Sequence, residues 1–81
     1  MAKPSPKYAK DAKLVALGAA IRQKRKNARI SQEALALDSG MDRSYVGGIE
    51  RGEHNLTLIG LIKIAGALSA LPSELLSNSG L

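Results

Sequence analysis

Cysteine is absent from the 81 residues, which excludes disulfides, thiol catalysis and cysteine-ligated zinc. A single histidine, His54, leaves no all-histidine metal site, and no cofactor is expected. Phenylalanine and tryptophan are missing, and the only aromatic rings besides His54 belong to Tyr8 and Tyr45. Bases of a single-stranded nucleic acid would find few platforms to stack on. Acidic residues are also scarce, 7 against 12 lysines and arginines, for a net charge of +5. That balance points to a polyanionic partner gripped by its backbone, and a double helix fits better than a single strand. Lysines followed by the apolar run Leu14-Val15-Ala16-Leu17-Gly18-Ala19-Ala20-Ile21 imitate a secretory signal. The run is too short to span a bilayer, has helical phase and meets Arg22-Gln23-Lys24-Arg25-Lys26 at once. A cytoplasmic protein with no membrane partner is expected.

The length allows one small domain with a modest core, of marginal stability unless a second subunit adds buried surface. Residues 1–11 carry Pro4, Pro6, Lys3, Lys7 and Lys10 with little apolar content. They read as a flexible basic arm, either following DNA phosphates or merely solvated. Residues 12–77 read as the domain, and 78–81 as a frayed end. Within the domain, Leu14, Leu17, Gly18, Ile21, Arg25 and Ala28 fall on one helical face. The basic run from Arg22 to Arg29 is either an electrostatic footprint or the solvated side of that helix.

The centre of the chain is Ser31 to Gly52, SQEALALDSGMDRSYVGGIERG. Ser31 can cap a short helix and Asp42 a second, with Gly40 supplying the turn between them. Leu35, Val46 and Ile49 face inward, and Ala36 allows close approach. After Gly52 comes the loop Glu53-His54-Asn55, in which His54 reads as a surface residue or a neutral donor near phosphate. Thr57 can cap a fourth helix with a stripe of Leu58, Leu61, Ile62, Ala65 and Leu68, widened by Ile59. A fifth helix starts at Pro72. The expected fold is all-α, a compact five-helix domain around a central helix-turn-helix.

A leading Gln32, a small Ala36 four residues on, Gly40 at the turn and later apolar positions resemble the Cro/C1-type (XRE-like) helix-turn-helix family of phage and bacterial regulators. The resemblance covers roughly residues 13 to 77. The segment MDRSYVGGIERG followed by Asn55-Leu56-Thr57-Leu58 looks especially like the controller proteins of restriction-modification systems. Those are dimers that bind paired operators and activate or repress, so the resemblance implies a homodimer on double-stranded DNA, with an RNA polymerase contact where it activates. Phage-type repressors and antitoxins, whose main task is binding a partner protein, share most of the pattern. The resemblance also implies that Arg25, whose inward phase calls for a carboxylate, pairs with Glu50. It departs at Arg29, where a glycine usually ends the first helix.

Family members point the start of the second motif helix at base edges, which assigns Arg43 and Ser44 to base reading. Gly47 and Gly48 follow one turn later. They would either let that helix approach DNA closely, which adds Gly47 to the base-reading set, or simply be tolerated. Gln32, Tyr45, Arg51 and Asn55 are the expected phosphate contacts. Ile59, Ile62, Leu75 and Leu76 are the expected dimer interface, against the alternative that they fill the monomer core. No enzyme is expected: no Ser/His/Asp set is suggested and no glycine-rich phosphate loop follows a strand.

Overall fold

Short polar side chains set where most of the helices begin. Asp11 accepts a hydrogen bond from the Lys13 amide, Ser31 from Ala34 and Thr57 from Gly60, each near 3 Å, which satisfies an otherwise orphaned amide at each helix start. The computed structural model describes residues 3–81, and among them there are α1 (Ala12–Asn27), α2 (Gln32–Ser39), α3 (Arg43–Glu50), α4 (Leu58–Ala67) and α5 (Pro72–Asn78), with no strand. Asp42 occupies the N-cap position of α3 but makes no capping bond, contrary to expectation. Its charge still sits at the end where the helix dipole favours an anion. Leu71 cannot cap α5, which opens instead on Pro72.

The turn after α1 shows what replaces the missing glycine. Arg29 adopts a left-handed φ of 59°, and the amides of Arg29 and Ile30 return to the carbonyls of Lys26 and Arg25. These two bonds close the helix end in the manner usually built on glycine. A side chain in that conformation is strained by roughly 1–2 kcal/mol. At the turn between α2 and α3, Gly40 takes φ 70° without strain.

The core joins Leu17 and Ile21 of α1, Leu35 and Ala36 of α2, Val46 and Ile49 of α3, Leu61, Ile64 and Ala65 of α4, Leu68, and Leu75 of α5. Backbone approach between α1 and α3 is close enough that a Cβ on Gly18 would lie 2.7 Å from the Glu50 carbonyl oxygen. Lys24 ties α1 to α5 through a 2.5 Å bond to Glu74, whose carboxyl is held below the usual range by that hydrogen bond.

Two expected placements are corrected here. The buried stripe of α4 is Leu61, Ile64, Ala65 and, just beyond it, Leu68, while Leu58 is 67% and Ile62 45% exposed. This helix is apolar almost all round, so its sequence offers little polar contrast to set the phase. Leu75 is fully buried in the monomer and so cannot offer the free face expected of an interface residue, whereas Leu76 packs half-buried against the same core and keeps part of its surface exposed. Among the described residues no single helix is long and apolar enough to cross a membrane.

Of the expected arm, Met1 and Ala2 lie outside the described residues. The remainder is hydrogen-bonded to the loop after α3: the Ser5 amide donates to the Glu53 carbonyl at 2.7 Å and the Lys10 amide to Gly52 at 2.6 Å. At the other end, Ser77 and Asn78 complete α5, and the Leu81 amide returns to the Leu76 carbonyl with Gly80 at φ 79°.

Candidate nucleic-acid interface

Glu50, the last residue of α3, is the point where the three helices α1, α2 and α3 are fastened together. Its carboxylate accepts from Arg25 Nε at 2.7 Å and Arg25 Nη2 at 3.0 Å, and from Gln32 Nε2 at 3.0 Å. Arg25 Nη1 donates to the Ile30 carbonyl, so the same guanidinium also fixes the turn between α1 and α2. Both charged side chains are buried, and the hydrogen bond to Glu50 holds the Arg25 guanidinium even more firmly protonated than usual. Such a planar, bidentate grip sets angle as well as distance. It fixes α3 against the rest of the domain.

Around this anchor the free face of α3 takes shape. Val46 and Ile49 face the core, whereas Arg43 is exposed and Ser44 partly so. Arg43 has no carboxylate within ion-pair distance among the described residues. Arg22, Gln32, Gly47, Glu50 and Arg51 line a cleft of about 250 Å³ where α1, α2 and α3 meet. Arg22 does not stand out in the sequence, because it is one cation in a basic run. Its position three residues before the inward Arg25, hence on a neighbouring line of the helix surface, is the signal that could have found it. Arg51 is exposed and held by Glu53, at 2.8 and 3.2 Å, and that bond keeps the Glu53 carboxyl below its ordinary range. Asn55 is exposed on the loop.

Both glycines of α3 lie beneath other side chains of the domain. Gly48 is buried under His54, whose ring occupies the space a Cβ would need. Gly47 is buried beneath the ends of Arg51 and Gln32, with a Cβ there only 3.1 Å from the Arg51 guanidinium. His54 is correspondingly no surface residue: it is 6% exposed, and its ring lies 4.5 Å from that of Tyr45, tilted by 32°. A loop histidine becomes a wedge because the glycine opposite leaves room for it. Tyr45 is thereby positioned by stacking at the border of the core.

The helix-turn-helix family profile matches residues 21–75. The control protein C.SmaI of Serratia marcescens is 44% identical over 61 residues, covering 75% of this chain and 73% of its own length. The control protein C.BamHI of Bacillus amyloliquefaciens is 40% identical over 60 residues, covering 73% of this chain and 74% of that protein. The crystal structure of the restriction-modification controller protein C.AhdI from Aeromonas hydrophila superposes with a TM-score of 0.78 at 50% identity, over 79% of this chain and 97% of that one. The chain belongs to the Cro/C1-type helix-turn-helix family, with restriction-modification controller proteins among its near relatives.

Proposed function

We propose that this helix-turn-helix transcriptional regulator works in the cytoplasm as a two-fold dimer on a near-palindromic operator, controlling a restriction-modification system. The observation that carries the reading is a rigidly anchored α3 whose amino-terminal end is free. The buried Arg25–Glu50 pair holds one end of the helix, and Arg43 stands exposed and without a carboxylate partner at the other. The major groove of B-DNA admits an α-helix, and a free guanidinium can bond O6 and N7 of a guanine together. Ser44 would read a neighbouring base or a phosphate.

Gln32, Tyr45, Arg51 and Asn55 would grip the phosphate backbone and set register, with Arg22 added from the same cleft. Gln32 and Arg51 each already have a carboxylate partner, Glu50 and Glu53, which restrains them until a phosphate competes. Gly47 would serve by giving the Gln32 and Arg51 side chains room to lie across α3.

A single domain of this size touches few base pairs, and dimers of such motifs read half-sites about one helical turn apart. The exposed apolar side chains of α4 and the turn after it, Leu58 (67%), Ile59 (62%), Ile62 (45%) and Leu71 (68%), supply a surface for a second copy. A regulator of this kind that activates would also touch RNA polymerase. Selection of bound sequences from random duplex DNA tests the proposal: enrichment of a near-palindrome with two half-sites supports it, and recovery of no preferred sequence contradicts it.

A further inference from the structure

Residues 3–10 hold Lys3, Lys7 and Lys10 and no carboxylate, in a chain whose net charge is +5. They are fastened to one place, the loop that follows α3. Ser5 and Lys10 donate their amides to the Glu53 and Gly52 carbonyls, and the Lys10 ammonium donates to the Arg51 carbonyl at 2.8 Å. That last bond puts a cation on a carbonyl at the carboxyl end of α3, where the helix dipole is negative. Lys10 takes a left-handed φ of 66°, and Tyr8 donates its amide to Ser5 Oγ, so the segment has a folded turn of its own. Tyr8 and Asn55 line one depression, together with Asp11, Lys13 and Leu14. The segment therefore adjoins Asn55 and the backbone of Arg51, both candidate phosphate contacts.

Lys3 and Lys7 take no part in these tethers. Neither has a carboxylate within ion-pair distance among the described residues, and Lys7 instead lies over the Tyr8 ring, 5.5 Å from its centroid. A ring face orients an ammonium without neutralising it. We propose that residues 3–10 extend the nucleic-acid interface, with Lys3 and Lys7 contacting duplex phosphates beyond those reached by Arg51 and Asn55. The inference rests on the DNA-binding reading above and adds a second, sequence-independent contact surface to it. Lys10 and Ser5 are the tethers, and Lys3 and Lys7 are the charges they deliver.

Salt dependence isolates this contribution, because each phosphate neutralised on duplex DNA contributes about 0.9 to the slope of log K against log salt. The full-length chain and its Lys3→Gln/Lys7→Gln variant are titrated with a random-sequence duplex over a range of salt concentrations. The proposal expects the slope to fall by about 0.9–1.8 per protomer, according to whether one or both lysines neutralise a phosphate. Thermal melting should be unchanged, and Lys3→Arg/Lys7→Arg should keep the full slope. An unchanged slope in the Gln variant, with the parent chain binding normally, would overturn the arm contact alone. A fall in slope that the Arg variant shares would assign the lysines a structural role and overturn it too. Failure of the parent chain to bind any duplex would overturn the DNA-binding reading and this extension together.

Discussion

Arg25 of α1 and Glu50 of α3 meet in a buried, two-bond ion pair, and Gln32 from the first turn of α2 completes the carboxylate's partners. No buried side-chain nitrogen or oxygen among the described residues is left without a hydrogen-bond partner. Removing one member of such a pair strands a charge in a medium that solvates it poorly. Arg25→Ala or Glu50→Ala should therefore destabilise the domain by about 3–5 kcal/mol. Replacing both by apolar residues of similar volume should cost much less. Denaturant melts of the two alanine singles and the Arg25→Ala/Glu50→Ala double close the cycle, and strictly additive losses would show that the pair has no coupling.

Gly18 and Gly48 both lie where a methyl group would collide, but the obstacles differ. At Gly18 the neighbours are the backbone carbonyls of Ile49 and Glu50, which cannot turn aside. At Gly48 the neighbour is the end of the His54 side chain. Gly18→Ala should fall at the upper end of the roughly 1–3 kcal/mol typical of overpacked cores. Gly48→Ala should lose less, since alanine returns about 1 kcal/mol of helix propensity at either site but only at Gly48 is the obstacle a side-chain end that can shift. His54→Ala in the Gly48→Ala background should relieve the remaining clash. Equal losses at the two glycines, or no relief from removing the imidazole, would refute this account of the packing.

What was legible in the sequence follows the same division between local and distant causes. Ser31 and Thr57 announce their helices because a cap needs only the three residues after it, and both capping bonds are present. The amphipathic face of α1 was readable because Leu17 and Ile21 share one helical face and basic residues follow them, and both are buried. The phase of α4 was not, since LIGLIKIAGA has one charged residue to orient it. Gly48 could not be explained without knowing that His54 folds back over it, a contact made by the loop. Leu75 and Leu76 are adjacent and chemically identical, and only the packing of α5 against α1 and α4 assigns the first to the core.

The exposed apolar side chains make a separate prediction about assembly. Ile59→Lys with Ile62→Lys should convert dimer to monomer in sedimentation while keeping a cooperative melt, shifted to lower temperature by loss of the second subunit's stabilisation. Leu75→Lys should instead unfold the domain, because that side chain is fully buried within one subunit. A chain that sediments as monomer at high micromolar concentration before any substitution would exclude the dimer.

Base reading by α3 through Arg43 is decided by binding of Arg43→Ala and of the parent chain to two ligands, the operator recovered by selection and a random duplex. A guanidinium bonded to a base edge should give a loss of about 1–3 kcal/mol on the operator, a much smaller loss on random DNA and relaxed preference at one position of each half-site. An equal loss on both ligands would make Arg43 a phosphate contact and leave α3 without its base-reading guanidinium.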